Sequence, residues 1–260
     1  ETPYLDSVVL LSHITQSSKS QILTNPDPEL DSQQENHIRE ALSKIRSGTP
    51  LPYVIGKWEF YQETFLITED VLIPRPETEG LVDLALTWLK KHPQRRTCLE
   101  IGTGSGCIAV SLVKQIPDLE IIATDISQKA LQVAQENAQR HQVDDRIQFQ
   151  QRDLLNEFTD QVDLLIANLP YIPTGKLKSL SVFHHEPRIA LDGGPDGLHL
   201  ISRVLKDVHE NLHPGGAIFL ELDEDCGAAA LLLARDVWPG RTLTLNQDLS
   251  GQDRYLIIES

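Results

Sequence analysis

From residue 97 onward, apolar strand segments alternate with amphipathic helices, and the chain closes on a hairpin. This pattern predicts an α/β fold built on a doubly wound, mostly parallel sheet of seven strands. Three observations carry the prediction. Residues 162–167 are nearly all apolar and run into Pro170, as expected of a buried parallel strand. Residues 102–106 place three glycines between the first strand of the alternation and the helix that follows. Residues 241–245 and 255–259 flank a polar turn containing Gly251, which predicts a terminal hairpin.

Taken in order, residues 1–50 read as a small helical domain. Leu5, Val8 and Val9 start one amphipathic stretch, and Ile38, Ala41, Leu42 and Ile45 keep helical spacing in a second. Ser32-Gln33-Gln34-Glu35 has the form of a capping box opening that second helix, and Asn25-Pro26-Asp27-Pro28 separates the two. Residues 51–76 read as a connector: Trp58, Phe60, Phe65 and Ile67 flank Gln62-Glu63 as a hairpin flanks its turn. Prolines 74 and 76 stiffen the exit, with Arg75, Glu77 and Glu79 beside it and a helix over 77–89. Residues 77–260 form the main domain. Its strands fall at 97–101, 120–124, 146–150, 162–167 and 217–221, and its helices at 105–115, 127–140, 198–211 and 224–236.

Composition narrows the function. The 260 residues carry 38 Asp+Glu against 23 Lys+Arg, a net charge of −15. That field repels a polyanion, so direct nucleic-acid binding is disfavoured and a protein or small-molecule substrate is expected. No apolar run approaches the ~20 residues of a membrane span, and no signal-peptide pattern opens the chain, which predicts a cytoplasmic protein. Cys98, Cys107 and Cys226 are isolated and odd in number, as buried thiols in a reducing compartment are. His184-His185-Glu186 lacks a third ligand at suitable spacing, so no metal is expected. The chain begins at Glu1 and contains no Met, which reads as a removed or truncated start.

Two sites stand out. Gly102-Thr103-Gly104-Ser105-Gly106 follows a strand and opens a helix, and the next strand ends in Asp125, where a carboxylate can accept both hydroxyls of a ribose. The spacing is G-x-G-x-G, and Glu100 precedes it. A carboxylate there would repel a pyrophosphate but suits a cationic ligand, so S-adenosyl-L-methionine fits better than a dinucleotide. The fold class thus becomes a seven-stranded Rossmann-like, S-adenosylmethionine-dependent methyltransferase domain.

The second site is Asn168-Leu169-Pro170-Tyr171, at the carboxyl end of the 162–167 strand, where open α/β sheets bind ligands. Asn168 Oδ1 and the Leu169 carbonyl can accept the two hydrogens of a planar N–H₂ group, with the Tyr171 ring over its face. An ordinary strand-to-loop exit is the plainer alternative for these four residues.

Over nearly its whole length the chain resembles the peptide chain release factor glutamine N5-methyltransferases, the HemK/PrmC family. The matching stretches are Leu72-Ile73-Pro74-Arg75-Pro76-Glu77-Thr78-Glu79, Gly102-Thr103-Gly104-Ser105-Gly106-Cys107-Ile108-Ala109, Asp125-Ile126-Ser127, Asn168-Leu169-Pro170-Tyr171-Ile172, Glu186-Pro187-Arg188-Ile189-Ala190-Leu191 and Gly193-Gly194. The resemblance implies an N-terminal substrate-docking bundle, a hairpin connector and a methyltransferase domain. It implies S-adenosylmethionine as donor, and as substrate the glutamine of a Gly-Gly-Gln loop in release factors, the protein partner, with a monomeric enzyme expected.

By position it assigns Gly102 to Gly106, Asp125 and Asn168 to the cofactor, and Asn168 to Tyr171 to the glutamine, with Asn168 and Tyr171 catalytic. Two departures stand out: Leu169 replaces the family's usual Pro, and Leu154 follows Asp153 where many relatives have an aromatic or other apolar residue. The N-terminal bundle also looks short. Rival readings are a ribosomal-protein glutamine methyltransferase, an N6-adenine DNA methyltransferase that would need a base-flipping surface, and an inactive cofactor-binding adaptor of translation factors.

Overall fold

The structure is a computed structural model that describes residues 3–179 and 185–259. Contacts divide the chain into two compact units, Glu1–Lys57 and Trp58–Ser260.

The first unit is helical: α1 (Pro3–Thr15), α2 (Lys19–Thr24), α3 (Ser32–Arg46) and α4 (Leu51–Ile55). Leu10, Ala41 and Leu51 form its small core, with Val9, Ile14, Ile45, Val54 and Ile55 packed around them. Two reciprocal capping boxes fix the helix starts. Ser18 pairs with Gln21 at α2, and Asp31 pairs with Gln34 at α3. The cap of α3 therefore lies one residue before the expected Ser32. Two overlapping templates exist here, and Asp31 accepts from the Gln34 N–H at 2.8 Å. Residues 51–55, read as the start of the hairpin connector, are instead the short helix α4, ended by Gly56 in a left-handed conformation.

The second unit opens with a hairpin of β1 (Lys57–Phe60) and β2 (Glu63–Leu66). Its turn residues are Tyr61 and Gln62, both at positive φ, rather than Gln62-Glu63. Asn137, fully buried, ties this hairpin down by mimicking a backbone: Leu66 N donates to its Oδ1 at 2.7 Å, and its Nδ2 donates to Leu66 O at 3.0 Å and Ser105 O at 2.8 Å. Then follow α5 (Pro76–Lys91), β3 (Thr97–Ile101), α6 (Cys107–Gln115), β4 (Glu120–Asp125), α7 (Gln128–Arg140), β5 (Ile147–Gln151) and β6 (Val162–Ala167). The chain closes with α8 (His199–Asp207), β7 (Leu212–Glu221), α9 (Gly227–Val237), β8 (Thr242–Gln247) and β9 (Asp253–Glu259).

The seven-stranded sheet has the order β5-β4-β3-β6-β7-β9-β8, parallel except for β9 against its neighbours β7 and β8. Leu165 and Ala167 of β6, Ile218 and Leu220 of β7, and Leu256 and Ile258 of β9 join α8 and α9 residues in one apolar cluster. Every residue of β6 is buried, which is why its sequence shows a continuous apolar run instead of alternation. The order reverses between β3 and β6, so their carboxyl ends open a crevice.

The opposite, amino end of this strand pair is closed by Asp163. Its carboxylate accepts from Arg95 Nη1 at 2.9 Å, Arg96 N at 2.9 Å, and Thr97 N and Oγ1 at 3.1 and 2.9 Å. Burial pushes the Asp163 carboxyl up, but these donors outweigh it and hold the group below its ordinary value.

Candidate active site

The crevice holds a cavity of about 680 Å³. The glycine turn forms one wall. Gly102 N and Thr103 N both donate to Thr124 O, at 2.8 and 2.9 Å, which folds the turn over the end of β4. Gly104 has φ +55 and open space where a Cβ would stand, so the backbone is bare toward the cavity.

Asp125, the last residue of β4, accepts Gly104 N and Ser127 N, each at 2.9 Å and on different oxygens. Each oxygen keeps a lone pair for a ligand hydroxyl. Burial raises its pKa, with the N–H groups of Ser127, Gly104 and Ile126 opposing the rise. Ile108, Ile126, Leu154 and Leu200 supply apolar wall suited to a flat base.

Glu100 lies beneath the turn, not on the cavity wall. It is 1% exposed, accepts Thr103 Oγ1 at 2.7 Å, and its Oε1 has no hydrogen-bond partner among the described residues. Burial pushes its pKa up to about 8, against hydrogen bonds from Thr103 and the Ala109 backbone. Near neutral pH such a group is mostly protonated, and a cationic ligand nearby would favour its ionised form whereas a phosphate would oppose it. With the bare glycine turn and the two-pronged Asp125, these residues fit S-adenosylmethionine.

The facing wall is the carboxyl end of β6. Asn168 Nδ2 donates to Thr78 Oγ1 at 3.0 Å, so Oδ1 is the amide atom left to accept from a ligand. Leu169 is buried at 3% exposure and its side chain packs against Gly102. Leu169 and Pro170 line the cavity.

The next residues are held by a paired loop: Ile172 N donates to Leu191 O at 3.1 Å and Gly193 N to Ile172 O at 2.8 Å. Here a glycine is required by space, because a Cβ at Gly193 would stand 2.6 Å from Tyr171 Cα. Thus Gly102, Thr103, Gly104, Ser105, Asp125, Asn168, Leu169 and Pro170 line one cavity. Gly106 does not line it, facing Ala134 of α7 instead, and neither does Tyr171. The Tyr171 hydroxyl reaches Glu221 Oε1 at 3.3 Å.

Sequence reasoning left the connector acids without roles, and the structure supplies partners. Arg75 pairs with Glu186, a buried residue whose other oxygen accepts Ile73 N at 3.3 Å. Glu77 accepts Tyr255 Oη through its backbone carbonyl at 2.6 Å, and Glu79 accepts Tyr61 N at 2.7 Å. The connector is thus fastened to the loop before Arg188 and Ile189, which also line the cavity. Thr78, the residue that meets Asn168, went unnoticed because nothing local marks a threonine inside a helix start. Of the His184-His185-Glu186 segment, His184 lies outside the described residues.

Comparison with known proteins agrees with this geometry. Residues 82–185 match the methyltransferase small domain, and residues 1–56 match the PrmC N-terminal domain. The amino-terminal domain of human METTL16, solved in complex with SAH, superposes with a TM-score of 0.54 at 18% identity, covering 75% of this chain and 74% of that one. The fold is therefore that of a methyltransferase.

Two curated relatives narrow it further. A release factor glutamine methyltransferase of Moorella thermoacetica is 39% identical over 99% of this chain and 91% of its own length. Another, of Rhodopirellula baltica, is 35% identical over 100% of this chain and 90% of its own. The chain belongs to the release factor glutamine methyltransferase family.

Proposed function

We propose that this enzyme methylates the side-chain amide nitrogen of the glutamine in the Gly-Gly-Gln loop of peptide chain release factors, with S-adenosylmethionine as donor. The observation that carries the reading is the Asn168–Thr78 hydrogen bond, which leaves an acceptor oxygen at the crevice beside the Leu169 backbone. A planar amide nitrogen offers two hydrogens and has a lone pair delocalised into its carbonyl. Two fixed acceptors hold both N–H bonds and favour the positive charge that develops as nitrogen attacks. Alignment of this kind is worth up to about 7–11 kcal/mol. S-adenosylmethionine, when bound, supplies an electrophilic methyl group on a sulfonium.

Asp125 would hold the ribose and the 102–105 turn the amino-acid end. Glu100 would favour the cationic groups from below. Tyr171 contributes through its hydroxyl contact to Glu221 and not as a wall of the cavity, so the stacking role expected from the sequence is set aside in this reading. The helical unit before residue 57 would dock the protein substrate. Among the described residues no helix is long and apolar enough to cross a membrane.

The test is transfer of a labelled methyl group to four acceptors: an intact release factor, the same factor with its Gly-Gly-Gln glutamine replaced, a ribosomal protein, and duplex DNA. Label in the first alone is expected. Salt-sensitive labelling of DNA would overturn the reading, because such sensitivity marks phosphate contacts.

A further inference from the structure

Asn137 of α7 is fully buried, and the two hydrogens of its amide go to different parts of the fold. One reaches Leu66 O, at the end of β2, at 3.0 Å, and the other reaches Ser105 O, in the glycine turn, at 2.8 Å. Its Oδ1 accepts Leu66 N at 2.7 Å. This pattern fixes the amide in one orientation, because an inverted amide would turn its oxygen to carbonyls and its hydrogens to an N–H.

Both segments lead to the cavity. Ser105 lines it with Gly102, Thr103 and Gly104, and beyond Leu66 the chain runs to Asp70, Val71 and Leu72, which line it as well. Helix α7 backs both. A Cβ at Gly106 would stand 3.1 Å from Ala134 Cβ, so the helix lies close under the turn three residues before Asn137, on the same face. Near its start, Lys129 Nζ meets Asp70 Oδ1 at 2.9 Å, but that pair is exposed and contributes little. The buried link between the 66–72 strap and the turn is the Asn137 amide.

We propose that Asn137 is a positioning residue for S-adenosylmethionine, whose amide couples the 66–72 strap to the Gly102–Ser105 turn so that both walls adopt their cofactor-binding spacing together. This rests on the reading of that turn as the seat of the cofactor and is independent of which substrate is methylated. The coupling is reciprocal: what the cofactor adds at the Ser105 end of the amide also protects the Leu66 end.

Three variants separate this role from simple anchoring of the hairpin. Asn137→Ser removes both amide donors without introducing a charge. Asn137→Asp keeps the acceptor for Leu66 N but turns a carboxylate oxygen toward two carbonyls. His141→Ala loosens the hairpin from one turn further along, since His141 Nε2 lies 3.0 Å from Thr64 O and its ring lies 5.0 Å from that of Phe65.

The experiment is calorimetric titration of S-adenosylmethionine into the wild type and these variants, with thermal melts alongside. Asn137→Ser should weaken binding by about tenfold and Asn137→Asp by more, because buried carbonyls lose their donors. The cofactor KM should rise by the same factors, while kcat at saturating cofactor stays near that of the wild type. His141→Ala should lower Tm and keep wild-type cofactor affinity. In the wild type, hydrogen exchange of the Leu66 amide should slow when S-adenosylmethionine is added. Exchange of the Tyr61 amide, bonded to Glu79 at the hairpin turn, should not change.

Wild-type affinity in folded Asn137→Ser, or equal weakening in His141→Ala, overturns the proposal. Should neither Asn137 variant fold, a Leu66 amide that the cofactor leaves unprotected overturns it. Failure of the wild type itself to bind S-adenosylmethionine would instead overturn the reading of the turn.

Discussion

The two ends of strand β6 carry similar polar residues in opposite states. At the amino end Asp163 is met by four hydrogen bonds from the fold, one on Oδ1 and three on Oδ2. At the carboxyl end Asn168 uses its donor on Thr78 and keeps its acceptor at the crevice, while Glu100 and Glu221 nearby each bury an oxygen with no hydrogen-bond partner among the described residues. Satisfied buried groups hold a fold together, and unsatisfied ones are costly unless something else completes them. The strand is therefore anchored at one end and poised for a ligand at the other.

The largest effect that would break this comparison is at the crevice. Asn168→Ala should lower kcat by about 10²–10³, the loss typical for one preorganised transition-state contact, with a smaller change in substrate KM. Steady-state kinetics of a folded variant check it. Asp125→Ala should weaken S-adenosylmethionine by about 1.5–3 kcal/mol, as for hydrogen bonds to a charged group. Calorimetry showing unchanged affinity would remove Asp125 from the site.

At the anchored end, Asp163→Ala should cost about 1–3 kcal/mol of stability by orphaning Arg95 and two backbone donors. Cofactor affinity should stay the same, as urea melts and titrations would show.

The acids at the two ends should also bend stability with pH in opposite senses. Asp163 has a lowered folded pKa, so its contribution is present above the ordinary value near ~3.9 and is lost as pH falls through the folded one. Glu100 has a raised folded pKa of about 8, so the folded state binds its proton more tightly. Its contribution is full below ~4.3 and declines as pH rises toward that value. Thermal melts of Glu100→Gln against wild type should show the variant gaining relative stability from about pH 5 to pH 8, the reverse of what acid does through Asp163. The smallest effect is expected of Leu169→Pro. The backbone carbonyl at that position survives the change, so activity should stay within about tenfold, or 1.4 kcal/mol.

What the sequence made legible divides along the same lines. The strand 162–167 and its neighbours could be read because burial on both faces writes itself as a continuous apolar run. β7 was read five residues too short: Pro214-Gly215-Gly216 looks like a break, yet Leu212 pairs with Val162 across an irregularity and the strand runs through. Asp125 and Asn168 sit at strand ends where a pattern can point to them.

The partners that complete the site could not be read. Arg75 meets Glu186 across 111 residues, Asn168 meets Thr78 across 90, and Tyr171 meets Glu221 across 50. No spacing rule links such positions. Tyr171 shows the same limit: its ring beside an amide site can be read in the sequence, while the buried acid that takes its hydroxyl is seen only in the structure.

The most direct test of the central claim is tandem mass spectrometry of a release factor after reaction, to locate the transferred methyl group. A planar amide held by Asn168 Oδ1 and the Leu169 carbonyl predicts a single methyl on the side-chain nitrogen of the Gly-Gly-Gln glutamine. A methyl on a lysine or a carboxylate would contradict it, because neither presents the planar N–H₂ group that the two acceptors are placed to hold.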